Sequence, residues 1–159
     1  MSEVLRLVAG GLLAIASSYV GLIVKRRYKK RAEFFEQAKE YFVFFEKEMF
    51  YNKTPVPKIN EEYERTSSDE FAEFLKACFE GANDKKDKYF LKKEESERLR
   101  GALSGLGKSG YEEQKKYVAR WKDEMTAFAE KTAAENKKYG GMYFKLCVLL
   151  GIAIVIVLA

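Results

Sequence analysis

Uncharged apolar segments occupy both ends of the chain, and a segment of mixed polar and apolar positions lies between them. No charged residue occurs from Leu7 to Val24. An α-helix of this many residues is about 27 Å long, close to the roughly 30 Å hydrocarbon core of a bilayer. Leu146–Ala159 is uncharged as well. Met142–Phe144 bring this second segment to a spanning length if the Lys145 side chain reaches toward the interface. The pattern predicts a transmembrane helix at each end.

A cleaved secretory signal is the alternative interpretation of the first segment. Cleavage after Ala14-Ile15-Ala16 would leave only Leu7–Leu13 as the apolar core. A signal peptide also carries its positive charge before the apolar stretch, whereas here the cationic residues follow it. The pattern therefore favours a membrane anchor.

The middle segment shows helical spacing and no sustained period-two alternation. Between residues 32 and 50, apolar side chains recur on one face of a predicted helix: Phe34, Ala38, Tyr41, Phe42, Phe45 and Met49. Pro55 and Pro57 end this helix, because each proline disfavours the α conformation of its predecessor. A loop is predicted for Tyr51–Ile59.

Three further helices are indicated downstream. A capping box at Ser67–Glu70 begins one that ends at Gly81, a second covers roughly Lys92–Leu106, and a second capping box at Ser109–Glu112 opens a long helix. We expect the inward positions of these helices to be Phe71, Phe74, Leu75, Cys78, Phe79, Leu99, Ala102, Leu103, Leu106, Tyr111, Val118, Trp121, Met125, Phe128 and Thr132. The last six have the spacing of an antiparallel bundle seam.

These patterns predict an all-α protein in four parts. The parts are an N-terminal transmembrane helix (1–24), a basic juxtamembrane block (25–31), a cytosolic antiparallel helical bundle (32–139) and a C-terminal transmembrane helix (142–159). Gly140-Gly141 is a candidate hinge between the bundle and the second span.

The basic residues are concentrated in one place. Lys25–Arg31 holds six basic groups in seven positions, whereas residues 32–138 carry 21 basic against 23 acidic residues. A nucleic-acid-binding domain spreads its cations over a face, so no nucleic-acid partner is expected. Lys137 and Lys138 precede the second span, and the positive-inside rule then places the middle segment in the cytoplasm and both termini outside.

Small residues recur at helical spacing in the first span, at Gly10, Ala14, Ser17 or Ser18, and Gly21, and Gly151 lies in the second. Such faces let helix backbones approach closely in lipid, so these residues are candidates for helix packing. The alternative is that glycine and serine are simply common in membrane helices.

Catalytic and metal chemistry find little support. Histidine is absent, and Cys78 and Cys147 lie far apart without CxxC spacing. Gly107-Lys108-Ser109 lacks the earlier glycine of a P-loop and follows a predicted helix instead of a strand. The carboxylate clusters are interpreted as solvated helix faces: Glu61, Glu62, Glu64, Asp69, Glu70, Glu94, Glu95 and Glu97. We expect no catalytic residue, cofactor, metal or small-molecule substrate.

Several motifs resemble the stage III sporulation protein AB family. They are the basic block after the first span, the Glu48…Tyr51…Thr54-Pro55 spacing, Leu106-Gly107…Gln114, and Lys138-Tyr139 leading into a span with Gly151. The resemblance covers essentially the whole chain. It implies a mother-cell membrane protein of endospore-forming bacteria, with a cytosolic part similar to the helical domain of the type II secretion platform protein.

The resemblance also implies partners and a role. Family members are encoded with seven companions that form a channel-like complex facing the forespore, and the platform analogy implies binding to the ATPase-like stage III sporulation protein AA. We take Tyr51, Thr54, Pro55 and Pro57 as the candidate partner-contact loop, with a purely structural turn as the alternative. A passive membrane-anchored scaffold is the main competing function. A pore is disfavoured because neither span carries a central charge.

Overall fold

The computed structural model describes residues 2–67, 70–80 and 89–158, and every regular element in these ranges is a helix. The all-α prediction is therefore confirmed. The elements are α1 (Ser2–Phe50), α2 (Val56–Thr66), α3 (Glu70–Glu80), α4 (Lys93–Ser104), α5 (Tyr111–Glu135), a π-helical turn (Asn136–Gly140) and α6 (Gly141–Leu158). The predicted helix end at Gly81 and two residues of the first capping box, Ser68 and Asp69, lie outside the described residues.

The chain divides into two compact units. One consists of Met1–Lys30 and Thr132–Ala159, and the other is Arg31–Lys131. Helix α1 continues through both units without a break.

The second unit is built around an aromatic core. The predicted stripe of α1 is buried except at Met49, which is only partly buried. The Phe34 ring meets the Phe71 and Phe74 rings of α3 edge-on, with centroids 5.5 and 5.4 Å apart. Edge-to-face pairs of this kind stabilise a core beyond the apolar area that they bury. The predicted positions are buried on α4 (Leu99, Ala102 and Leu103), in the connection after it (Leu106) and on α5 (Val118 and Met125).

Helix α2 was not predicted, and the loop prediction for Tyr51–Ile59 is wrong in its second half. The chain is helical from Val56, with a proline in the first turn, where the missing N–H is not needed. Ile59 and Tyr63 are buried and Val56 is partly buried, all three at helical spacing, but the rest of the segment is polar apart from Pro57. Asn60 is also buried and accepts a 2.7 Å hydrogen bond from the Tyr41 hydroxyl, whose pKa is raised by burial.

Two predicted inward positions are wrong. Phe79 is 48% exposed and Tyr111 is 52% exposed. Phe79 follows Phe71 by eight residues, which rotates it about 80° around α3 and away from the core stripe. Tyr111 is the first residue of α5, and its ring meets Phe50 with centroids 5.4 Å apart while the rest faces solvent.

The prediction of a second capping box at Ser109–Glu112 is also wrong, because its hydrogen bonds are different ones. The Ser109 hydroxyl donates a hydrogen bond to the side-chain oxygen of Gln114 at 2.8 Å. The backbone N–H of Gln114 donates to the Gly110 carbonyl. Before this turn, Gly107 has a φ of +77°, a left-handed conformation that favours glycine. A Cβ at Gly107 would lie 2.9 Å from the Val56 side chain, so α2 packs closely on the connection between α4 and α5.

The prediction that Glu95 lies on a solvated face is wrong. Glu95 is buried and pairs with Arg31, which is buried as well. Arg31 Nη2 lies 2.5 Å from Glu95 Oε1, and Arg31 Nε donates to Oε2 at 3.2 Å. Burial would raise the pKa of Glu95, but hydrogen bonds from the Arg31 side chain and the Lys92 backbone, with the nearby positive charges, hold it below its usual value. Arg31 therefore stabilises the helical core, although it closes the basic block in the sequence.

Candidate functional site

Helices α1 and α6 lie side by side in the first unit, antiparallel, through small residues. A Cβ added at Gly21 would lie 2.9 Å from the Cys147 Cβ, and one added at Gly151 would lie 3.1 Å from the Ala14 Cα. The Ser17 hydroxyl donates to the Cys147 carbonyl at 2.6 Å. Larger side chains at the two glycines would force these backbones apart.

The predicted packing residues have different positions around this contact. Gly10, Gly21 and Gly151 are buried, and Ala14 and Ser18 are half-buried. The Ser18 hydroxyl bonds to the Ala14 carbonyl of its own helix, at 2.9 Å. The serine that crosses to α6 is Ser17, which the sequence pattern alone does not distinguish from its neighbour.

The outer surfaces of α1 and α6 are apolar. Two helical segments, Val4–Phe50 and Tyr111–Val157, are long and apolar enough to span a membrane. The exposed large side chains at their apolar ends include Leu5, Val8, Leu12, Ile15, Val20, Leu146, Leu149, Leu150, Ile152, Ile156 and Val157. Such a surface is costly in water and suited to a hydrocarbon environment.

The candidate hinge residues lie at the π-helical turn. The turn ends at Gly140, and Gly141 continues directly into α6 with helical dihedral angles. Gly140 is buried, and a Cβ there would lie 2.9 Å from Asn136 Oδ1 and 3.7 Å from the Tyr28 Cβ. A side chain at this position would thus crowd Asn136 of the same turn, and movement at Gly140-Gly141 stays a prediction.

An aromatic cluster follows this turn. The ring of Tyr28 on α1 stacks on Tyr143 with centroids 6.2 Å apart and meets Tyr139 at 6.0 Å. Lys25 lies over the Phe144 ring at 5.6 Å, and Lys138 lies over the Tyr139 ring at 5.1 Å. Aromatic and basic side chains thus alternate at one end of the apolar helix pair.

The candidate partner-contact loop is short and internally bonded. Glu48 accepts hydrogen bonds from Asn52 at 2.8 Å and from the Thr54 hydroxyl at 3.0 Å. These two bonds explain in physical terms why a glutamate precedes Thr54-Pro55 by this spacing. Tyr51 is 80% exposed, and Pro55 is exposed before the first turn of α2.

A groove of about 290 Å³ adjoins this loop on α2 and α3. Its lining residues are Val56, Pro57, Asn60, Glu61, Glu64 and Phe79. The exposed Phe79 ring supplies apolar surface, and the two glutamates supply negative charge. Burial raises the pKa of Glu64, a rise that Lys76 opposes and that Glu80 and Glu61 increase by repulsion. The loop residue Pro57 therefore belongs to a larger surface, which the sequence pattern did not reveal because α2 was not predicted.

Within the described ranges, no group of three carboxylate or cysteine side chains converges in a way that would hold a metal ion. Cys78 and Cys147 are not joined by a disulfide bond. Neither the helix pair nor the groove combines a nucleophile with a base. These surfaces are suited to packing and docking.

Comparison with known proteins gives one match. The family model of stage III sporulation protein AB matches residues 6–159. No curated protein and no solved structure matches the chain. The matched range includes both apolar segments, the aromatic core and the Glu48–Pro55 turn. The chain belongs to the stage III sporulation protein AB family, whose role is in sporulation.

Proposed function

We propose that this chain is a membrane-anchored platform component of the sporulation channel complex between mother cell and forespore. In this role it binds and orients a cytosolic ATPase, the ATPase-like stage III sporulation protein AA, together with other channel subunits. The observation that carries the proposal is the continuity of α1, which runs from an apolar segment into the aromatic core of the bundle. A helix of this kind ties a protein-binding body directly to the bilayer.

The proposed location is the mother-cell membrane, with two spans and a cytoplasmic central domain. The charge pattern supports this orientation, because Lys25–Lys30 and Lys137-Lys138 both border the apolar segments on the side of the bundle. The side-by-side contact of α1 and α6 supports their insertion into the membrane as a pair of adjacent helices.

We further propose that partners dock on the surface formed by Tyr51, Thr54, Pro55 and the groove at Pro57 and Phe79. Exposed aromatic rings next to a rigid turn are typical of interface anchors. The glutamates of the groove favour a partner segment that brings lysine or arginine beside an apolar side chain. This surface belongs to the Arg31–Lys131 unit alone.

The test is a binding measurement between the full-length chain in nanodiscs and the purified ATPase. We expect Phe79→Ser to weaken binding about thirtyfold, since truncation of an aromatic anchor costs about 2 kcal/mol. Val43→Ser is the matched control, because Val43 is 49% exposed on α1 and lies outside the groove. Both substitutions are at exposed positions, so the bundle should remain folded.

The competing function is a passive helical scaffold without ATPase coupling. In that case the ATPase does not bind the wild-type chain even at high micromolar concentration. Equal weakening by Phe79→Ser and Val43→Ser would instead place the contact elsewhere on the bundle.

A further inference from the structure

The end of the α1–α6 pair that contains the tyrosines has an unusual concentration of positive charge. Residues 25–30 and 136–145 together contain eight lysine and arginine residues and no acidic residue. Both stretches belong to the same compact unit. Lys25, Arg26, Lys137, Lys138 and Lys145 are all exposed. Because like charges so close together repel one another, an anionic ligand would lower the electrostatic energy of this region.

The aromatic cluster gives these cations a defined frame. Tyr28, Tyr139 and Tyr143 contact one another, with every pair of ring centroids within 6.2 Å. The π-helical turn ends at the buried Gly140, between two of these tyrosines, which brings their rings against α1. Tyrosine rings prefer the boundary between hydrocarbon and water, where the ring is apolar and the hydroxyl remains hydrated. The cluster therefore marks the level of the lipid headgroups.

The position of the charges selects the chemistry of the ligand. Lys25 directly follows the uncharged segment that ends at Val24, and Lys145 directly precedes the one that begins at Leu146. A ligand that contacts these cations thus also meets apolar helix surface. An anionic head joined to an apolar chain satisfies both requirements, whereas a nucleic acid or an acidic peptide satisfies only the first.

We propose that this end of the helix pair is a binding site for anionic phospholipids. Lysine and arginine side chains of α1 and α6 bind the headgroup phosphate, and the tyrosine hydroxyls add hydrogen bonds to it. Lys25 and Lys138 are the best-positioned cations, because each lies over an aromatic ring of α6 or of the turn that precedes it. The site rests on the proposed insertion of the two apolar helices into a membrane.

The test uses the full-length chain, reconstituted separately into phosphatidylcholine vesicles and into vesicles that also contain phosphatidylglycerol. Flotation measures insertion, and lipid co-purification from mixed vesicles measures preference. We expect insertion into both kinds of vesicle and an enrichment of phosphatidylglycerol around the wild-type chain. In the variant Lys25→Gln/Lys138→Gln the enrichment should fall about fivefold for each lysine removed, since one basic residue near an anionic surface contributes about 1 kcal/mol.

Two variants control for net charge and for folding. Lys76→Gln/Lys93→Gln removes two exposed lysines of α3 and α4, which make only long ion pairs of 3.8 and 3.9 Å, and should keep the enrichment. Lys25→Arg/Lys138→Arg keeps the charge at the site and should also keep the enrichment. Soluble glycerol phosphate should not displace the bound lipid.

The contrary outcomes are distinct. Insertion into both vesicles without enrichment, or equal loss in the two glutamine variants, overturns the lipid site and leaves the membrane role standing. Displacement by glycerol phosphate assigns the cations to a soluble phosphate compound instead. A chain that inserts into neither vesicle overturns the membrane role, and the lipid site with it.

Discussion

Arg31 and Glu95 show how one residue pair can belong to a different part of the molecule than its sequence context indicates. Arg31 ends a run of cations, and Glu95 lies in a run of acidic residues, yet both side chains are buried against each other. The ion pair joins α1 to the start of α4, where Glu95 also accepts a hydrogen bond from the Lys92 amide at 3.0 Å. Neutralising Glu95 would remove its negative charge from beside the buried Arg31 guanidinium.

We expect Glu95→Gln to destabilise the full-length chain by about 3 kcal/mol at neutral pH, since the buried Arg31 would lose the charge of the Glu95 carboxylate beside it. Glu97→Gln is the matched control, because Glu97 is 61% exposed and its partner Lys93 lies 3.9 Å away. Such a pair contributes at most about 1 kcal/mol. Urea unfolding in detergent, followed by the fluorescence of Trp121, measures both changes.

The pH dependence of the stability of Glu95→Gln tests whether the lost charge causes the destabilisation. The pKa of Glu95 is lowered in the folded protein, so its contribution is fully present above the unfolded value, about 4.3, and is lost as the pH falls through the folded value. The stability difference between wild type and Glu95→Gln should therefore shrink in acid. A difference that stays constant down to the lowest pH would show that shape rather than charge is responsible.

At the level of elements, the helix pair of the first unit is held by small side chains on both partners. Gly151 faces Ala14 with a hypothetical Cβ–Cβ separation of 3.3 Å, close to the value of about 3.8 Å that a disulfide requires. Ser17 and Gly21 make further contacts with α6 about one and two turns nearer to the tyrosine cluster.

This geometry predicts that Ala14→Cys/Gly151→Cys forms an intramolecular disulfide under mild oxidation, in a chain whose two native cysteines are replaced by serine. Leu12→Cys/Gly151→Cys is the control, because Leu12 is 64% exposed on another face of α1. Thiol alkylation followed by gel electrophoresis separates the two forms. If both pairs cross-link to the same extent, the helices do not have a fixed contact face.

The helices differ in how far they could be predicted from the sequence. The aromatic stripe of α1 was predictable because an amphipathic period of 3.6 residues extends from Phe34 to Phe45. Helix α2 was not, since its apolar positions Val56, Ile59 and Tyr63 lie among polar residues and the helix begins among prolines. The groove could not be predicted for the same reason, because it needs α2 beside Phe79.

Contacts between residues far apart in the sequence could not be predicted either. Glu95 precedes the inward positions Leu99 and Ala102 by four and seven residues, so periodicity places it on the buried face of α4, but only the fold brings it to Arg31. In the apolar segment, periodicity places both Ser17 and Ser18 near the small-residue face, and the hydrogen bond to Cys147 depends on the partner helix. Sequence periodicity thus indicates which face is buried, whereas the residue that completes a contact depends on the neighbouring element.

For the whole molecule, the distribution of charge and apolar surface bears on orientation in the membrane. The eight cations at residues 25–30 and 136–145 lie between the apolar segments and the helical bundle along the chain. Translocation of the bundle would carry these cations and the many charges of the Arg31–Lys131 unit across the bilayer.

We therefore expect a cysteine at Tyr51 to react with a membrane-impermeant maleimide only after cells are permeabilised, because Tyr51 is 80% exposed on the proposed cytoplasmic bundle. The background is again free of the native cysteines. A cysteine at Ser2 should react in intact cells, since the positive-inside rule places the N-terminus outside. Labelling of Tyr51→Cys in intact cells, with protection of Ser2→Cys, would reverse the orientation. The bundle would then face away from the cytosol, where no ATPase could reach the groove at Phe79.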